Sequence, residues 1–302
     1  MADTKQALAE AGKKQKAGIA SYLSNDAVKK NIMSVVGEKN TTRFISSVVS
    51  AVQTNPTLAQ CTNSSILSSA LLGEALQLTP SPQLGQYYMV PYDNTKAGVK
   101  EAQFQIGYKG YIQLAIRSGQ YRKITVSEVK EGEVSYFNPI TEEIVLNANP
   151  ISGVNRATSK TVGYYAMFEL MNGFRKEIYW TKETMEEHAR TYSIGYRNDL
   201  RKKTSYTFWS KNFDAMAKKT LIRQLIGKWG IMSIEMKMAY ENDMAVIDEN
   251  GNANYVDNQI DAAELAQEDI AENANTVDFQ EETEAIDADA TEVEETPSFM
   301  EE

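Results

Sequence analysis

The amino-acid sequence predicts an α+β protein, on three observations. Residues 1–78 read as helical, with apolar residues at helical spacing, the pattern changes to that of strands over residues 87–180, and helical spacing returns after Trp180. In the first region a helix is expected over residues 41–53, capped by Asn40 and striped by Phe44, Ile45, Val48, Val49 and Val52. A second is expected over residues 63–78, carrying Ile66, Leu67, Ala70, Leu71, Glu74 and Leu78; Pro80 and Pro82 end it, because proline has no N–H to donate. Both stripes read as core or subunit contacts.

In the middle region, Ile124-Thr-Val-Ser-Glu-Val alternates as a half-buried strand does, and Glu142-Glu-Ile-Val-Leu repeats the pattern after an Asn138-Pro139 turn. Residues 162–171 and 174–180 flank Asn172-Gly173, the strongest hairpin signal in the chain. Residues 147–161, rich in Asn, Pro, Gly and Ser, are expected to form a mobile loop. After Trp180, Thr181 opens an exposed amphipathic helix that carries His188. The longest helix is expected over residues 205–229, ended by Gly230, with Ile222, Leu225, Ile226 and Trp229 on its apolar face. A shorter helix is expected over residues 234–243. Beyond Asn250 the chain is too acidic and too poor in large apolar residues to fold alone, apart from short helical pieces around residues 259–273 that would form against a partner.

Composition excludes several chemistries. One Cys (Cys61) and one His (His188) cannot make a Cys/His zinc site within a chain, and a lone Cys suits a reducing interior. No G-x-x-x-x-G-K-[ST] phosphate loop occurs; Gly227-Lys228-Trp229 lacks the first glycine and the hydroxyl residue. The N-terminus lacks the apolar core of a secretory signal, and no apolar run is long enough to cross a membrane, so a cytoplasmic location is expected.

The formal net charge of −10 conceals an asymmetry. Residues 241–302 hold 21 acidic residues and no Lys or Arg, which leaves 20 acidic against 31 basic residues in 1–240, a net of +11. A basic body with a separable acidic arm is a layout of nucleic-acid proteins. The arm serves solubility alone, or it recruits a partner or shields the body.

Two stretches bear on what the basic body does. In Gln103-Phe-Gln-Ile-Gly-Tyr-Lys-Gly-Tyr a strand delivers Gly107 and Gly110 to the start of a helix. Glycines there let another backbone approach, and a helix start offers N–H groups to a phosphate, with Lys109 adding charge and Gln105 a neutral donor. The alternative is a plain strand-to-helix turn with Tyr108 and Tyr111 in the core. In Arg201-Lys202-Lys203-Thr-Ser-Tyr-Thr-Phe-Trp209, running on to Lys211, Lys218, Lys219 and Arg223, basic residues interleave with aromatics. That mixture suits a nucleic-acid backbone, or else a solvated helix face, with Phe208 and Trp209 expected in the core.

Together with VPYDN, GYYAMFELMNGFRKEIYWTKE and NFDAMAKKTLIRQLIGKWGIMS, the stretch AQFQIGYKGYIQLAIRSGQY resembles the RecT family of phage and prophage single-strand annealing proteins, over roughly residues 34–239. The resemblance implies a small antiparallel sheet packed on a long helix, a Rad52-like annealing fold with a narrow basic groove. Periodicity, charge and the resemblance together divide the chain into a helical region at 1–80 for oligomer contacts, a DNA-binding and annealing core at 81–240, and an acidic, mostly disordered tail at 241–302. The resemblance implies ATP-independent, non-enzymatic annealing of single-stranded DNA to its complement by a ring or helical filament, with no cofactor. A phage exonuclease and the host single-strand-binding protein are the expected partners. Gln105, Lys109, Arg201, Lys202, Lys203, Thr204, Lys211, Lys219 and Arg223 are expected to line the groove, with Lys218 and Arg117 as lesser candidates. The competing readings are a magnesium nuclease using Asp199 and Asp214, and an assembly protein whose basic face is incidental.

Overall fold

Most expected helices and strands form, and the differences lie at their ends, at one split helix, at one short helix in the expected loop and in two strands after the last helix. The computed structural model describes residues 18–94, 97–147, 153–248 and 251–254. Its first region is helical: α1 (Ile19–Leu23), α2 (Asp26–Val36), α3 (Glu38–Thr54), a 3-10 turn at Pro56–Gln60 and α4 (Asn63–Ala75). Helix α3 starts three residues earlier than expected, because Gly37, at φ 78°, turns the chain straight from α2 into it. Asn40 therefore lies inside the helix, where its side chain donates to the Val36 carbonyl at 3.1 Å instead of capping. Helix α4 stops before the prolines are reached: Gln77 takes a left-handed φ of 51° and the Leu78 N–H returns to the Gly73 carbonyl at 2.9 Å.

The middle region runs β1 (Tyr87–Asn94), β2 (Val99–Ile106), α5 (Tyr108–Arg117), β3 (Tyr121–Lys130), β4 (Val134–Asn138), β5 (Glu143–Leu146), α6 (Gly153–Thr158), β6 (Thr161–Leu170) and β7 (Arg175–Thr181). The β6–β7 hairpin turns at Asn172-Gly173, where Gly173 has φ 87° and the Asn172 side chain accepts the Phe174 N–H at 3.0 Å. Part of the stretch expected to be a mobile loop is ordered. Arg156 of α6 donates to Glu133 at 2.5 Å and to the Glu128 carbonyl at 2.7 Å, tying that helix to β3; residues 148–152 lie outside the described residues.

Helices α7 (Lys182–Tyr192), α8 (Ile194–Lys202), α9 (Phe208–Lys211), α10 (Phe213–Trp229) and α11 (Ile234–Asn242) follow, then β8 (Ala245–Ile247) and β9 (Ala253–Asn254). The single helix expected over residues 205–229 is in fact α9 and α10. Asn212 breaks it, its side chain accepting the Ala215 N–H at 3.4 Å to start α10. The fold also runs past Tyr240, where the acidic tail was expected to begin. Asp243 is fully buried, and β8 pairs with β2 through Gln103↔Val246 and Phe104↔Ala245.

Two antiparallel sheets, β1-β2-β8-β9 and β3-β6-β7, share one apolar core, and β4-β5 forms a separate hairpin. The long helix α10 lies on the three-stranded sheet: Leu221, Ile222, Leu225 and Ile226 are buried with Tyr164, Ala166 and Phe168 of β6. Burial of such side chains stabilises the fold by roughly 1.5–3 kcal/mol each. Residues 255–302, which hold the helical pieces expected around residues 259–273, lie outside the described residues.

Candidate nucleic-acid interface

The first glycine stretch folds against its own chain. A Cβ on Gly107 would stand 2.2 Å from the Gly85 carbonyl oxygen, and one on Gly110 would stand 2.2 Å from that of Gln86. The backbone that comes close is thus the segment leading into β1, and the Gly107 N–H donates to the Gln86 carbonyl at 2.8 Å. One donor offered to a phosphate is therefore spent inside the protein. Tyr111 is fully buried, while Tyr108 is half-buried with the Lys218 ammonium 5.2 Å from its ring centroid. Gln105 donates to the Gln103 side chain at 2.7 Å, and Lys109 is exposed.

The second stretch is organised by a carboxylate. Asp199, buried on α8, accepts from Thr204 Oγ1 at 2.7 Å, Tyr206 N at 3.0 Å, Thr207 N and Oγ1 at 2.8 Å each, and Ser210 Oγ at 2.7 Å. Burial alone would raise its carboxyl; the hydrogen bonds outweigh that and hold it far below the usual carboxylate range. Lys203 ends α8 in the left-handed region at φ 53°; Arg201 and Lys202 stand exposed on the last turn of α8 and Lys203 at the start of the loop that Asp199 holds. Thr204 spends its hydroxyl on Asp199 and is not a free neutral donor. Trp209 is buried as expected; Phe208 is not, and packs at 5.7 Å on Tyr88 instead. Both carboxylates of the nuclease reading are engaged, Asp214 accepting the Tyr164 hydroxyl at 2.6 Å. Among the described residues no group of three or more His, Cys, Asp or Glu is arranged to hold a metal.

Lys219 is where the structure departs most from the expected groove. Its side chain is 7% exposed and its ammonium meets Asp243 Oδ1 at 2.8 Å. The same carboxylate accepts the Ile106 N–H at 3.1 Å, and its second oxygen faces Arg223 Nε at 3.9 Å and the Tyr111 hydroxyl at 3.5 Å. Burial lowers the Lys219 pKa and Asp243 opposes that. Lys219 is thus a buried tie between α10 and the segment after α11. Arg223 lies half-buried over the Tyr240 ring at 4.3 Å and donates to the Tyr240 carbonyl at 3.1 Å. Lys218 pairs with Glu128 at 2.9 Å, and Arg117 holds the Leu76 and Gln77 carbonyls at the opposite end of α5 from Lys109. Lys211 is exposed.

The two stretches meet. A small pocket of about 50 Å³ is lined by Tyr88, Gln105, Gly107 and Tyr108 from one side and by Phe208, Asn212 and Lys219 from the other. Beside it, with Met216 and Lys219 as shared lining, a cleft of about 580 Å³ runs between α7 and α10, lined by Trp180, His188, Tyr192, Trp209, Arg223 and Asp243 among others. His188 is therefore no isolated surface residue. It lies between Trp180, its ring centroid at 5.2 Å and tilted 58°, and Tyr192, at 4.6 Å and tilted 42°, and burial lowers its pKa. Sequence reasoning missed Tyr88, Trp180, Tyr192 and Asp243. The spacing of His188 and Tyr192, one helical turn apart, was the one signal available.

Fold and cleft define an α+β protein with a sheet-on-helix core, exposed cations near the cleft and an aromatic wall inside it. The RecT family model matches residues 42–257, more than two-thirds of the chain, and the chain belongs to that family. It is 37% identical over 253 residues to the uncharacterized protein YqaK of Bacillus subtilis (strain 168), covering 83% of this chain and 79% of that one. It is 28% identical over 228 residues to protein RecT of Escherichia coli (strain K12), covering 74% and 80% respectively. No helix among the described residues is long and apolar enough to cross a membrane.

Proposed function

We propose that this protein binds single-stranded DNA along the cleft beside α10 and anneals it to its complement in recombination, as an oligomer and without ATP or other cofactor. Membership of the RecT family supplies single-strand annealing; the observation that carries the site is the meeting of the two stretches at one pocket. Lys109 and Lys211, each one residue from its lining, are exposed there, and Arg201, Lys202 and Lys203 are held out by the Asp199 knot. Arg223 lines the cleft and Gln105 the pocket. Lys219 serves from behind the wall, by fixing Asp243, and Thr204 by fixing the loop.

The mechanism is electrostatic. Two complementary strands repel through their phosphates, and neutralising one backbone lowers that barrier while leaving its bases free to test pairing. Sequence choice belongs to the pairing itself, so the contacts fall on phosphate and sugar. A Rad52-like ring or filament, a partner exonuclease and the host single-strand-binding protein, all acting in the cytoplasm, complete the proposal.

The test is annealing of complementary oligonucleotides without nucleotide. The protein should speed it, and single-strand affinity should fall steeply with salt. Lys109→Ala with Lys211→Ala should lower the slope of log affinity against log salt by about 0.7 for each phosphate that is no longer neutralised. A flat salt response would reject the groove. Cleavage of labelled strands in magnesium would favour a nuclease, and binding with no faster annealing would favour an assembly protein.

A further inference from the structure

The cleft has two unlike walls. On α10, Thr220, Arg223 and Gln224 present hydrogen-bonding groups and a cation. Facing them, Trp180 at the end of β7 and His188 and Tyr192 on α7 form a column of three rings in successive tilted contact, at interplanar angles of 58° and 42°. Exposure rises along the column: Trp180 and His188 are part-buried, while Tyr192 is 74% exposed at its outer end. A tyrosine so exposed adds little to the core, yet it is aimed along the cleft by its contact with His188. Helical geometry sets this aim, since residues four apart project from one face, and Trp180 backs the inner ring.

We propose that this column is a base-stacking step: an unpaired base packs on Tyr192, continuing the order of Trp180 and His188, while the sugar-phosphate runs along the α10 wall. The proposal rests on the single-strand DNA reading above and adds to it a contact with bases. A strand with its phosphates toward Arg223 has its bases on the other side, where the rings are. Stacking needs only a π-face, so the step accepts any base and leaves sequence choice to pairing. It also separates single strands from duplex, whose bases are stacked on one another already.

The experiment compares Tyr192→Ala, Tyr192→Phe and the wild-type full-length protein in fluorescence-anisotropy titrations against two strands of equal length. One is an oligothymidine, the other an abasic strand with the same phosphates. Tyr192→Ala should weaken oligothymidine binding about 5- to 140-fold, the range that corresponds to removing one base–aromatic stack. Its affinity for the abasic strand should stay at the wild-type value, and Tyr192→Phe should restore oligothymidine binding. Equal weakening on both strands would overturn the proposal in favour of a structural role, as would a changed subunit number by light scattering in favour of a subunit contact. Unchanged binding of both strands by Tyr192→Ala would also overturn it. Failure of the wild-type protein to bind either strand would instead sink the single-strand reading on which the proposal stands.

Discussion

Replacing Asp199 by Asn keeps the shape of the side chain and removes its charge, which makes it a clean probe of how the basic loop is held. In the structure Oδ1 accepts from Thr204 Oγ1 and Tyr206 N, and Oδ2 accepts from Tyr206 N, Thr207 N, Thr207 Oγ1 and Ser210 Oγ. Asn can keep one set. With its oxygen in the Oδ2 position it keeps the larger set, and its amide then faces Thr204 Oγ1, whose hydroxyl can rotate to accept, and the Tyr206 N–H, which cannot. One backbone donor is left against another donor, and every remaining bond loses its charge assistance. A hydrogen bond to a charged group contributes about 1.5–3 kcal/mol net, and an orphaned buried donor costs about 1–3 kcal/mol. A loss of about 3–4 kcal/mol is expected, allowing for non-additivity. For a folded body of this size that lowers Tm by about 6–16 °C. The pH response has a defined sign. The folded carboxyl lies below its unfolded value near 3.9, so the stabilisation is present above that value and is lost as pH falls below it. Thermal unfolding of both proteins between pH 7 and 3 reads it: the gap between their Tm values should narrow as the medium becomes acid. Single-strand affinity should drop at a temperature where Asp199→Asn is still folded, since Arg201, Lys202 and Lys203 lose their anchorage. A Tm within 2 °C of wild type at pH 7 would refute the knot. Wild-type affinity with a lowered Tm would refute its link to the interface.

Lys219→Ala should destabilise the fold, because it leaves the carboxylate of Asp243 buried without its cation; breaking such a pair costs about 3–5 kcal/mol. Lys211→Ala should leave Tm unchanged and weaken single-strand binding. Urea unfolding alongside anisotropy separates the two effects, and a Lys219→Ala protein as stable as wild type would return that lysine to the solvent-facing wall. Two truncations test where the body ends. Stopping after Tyr240 removes Asp243 and β8, and should give a protein that unfolds early or aggregates. Stopping after Asn254 removes 17 acidic and no basic residues, taking the net charge from −10 to +7, and should keep Tm. It should also tighten single-strand binding at low salt, with the gain fading as salt screens it. Equal Tm for both truncations would put the boundary back at Tyr240, and unchanged affinity would leave the tail a solubility role alone.

Local patterns made most elements legible. The Asn172-Gly173 turn, the strands β3 and β6 and the apolar face of α10 each follow from a rule that acts within a few residues, and the structure carries them, except that Trp229, expected on that face, is 40% exposed. The errors lie where tertiary contacts override propensity. Asn212 reads as an ordinary residue in a helical run, yet it breaks the helix because Asp199, thirteen positions earlier, holds the intervening loop. Gly107 and Gly110 do let a backbone approach, as their type suggests. Which backbone is not readable from the sequence, since the Gly85–Gln86 segment is brought there by the pairing of β1 with β2.

Charge misled more than pattern did. A lysine on a helix reads as solvent-facing, and nothing within four residues of Lys219 says otherwise. Its partner, Asp243, belongs by composition to the acidic tail and by position to the core. The reassignment changes what the tail is. An acidic run drawn from Glu241 looks like one solvated arm, but its first carboxylate to enter the fold neutralises a buried lysine and caps the Ile106 N–H at the end of β2. On the proposed reading the cations that meet a polyanion are those with exposed side chains, Lys109, Lys202, Lys203 and Lys211 among them, and these four lie on helix ends or loops. On that reading helix α10 contributes rigidity and a wall with Arg223 on it, while the rim adds the exposed lysines. That division predicts that rim substitutions change affinity and salt dependence without touching stability, and that substitutions at the Lys219–Asp243 tie do the reverse.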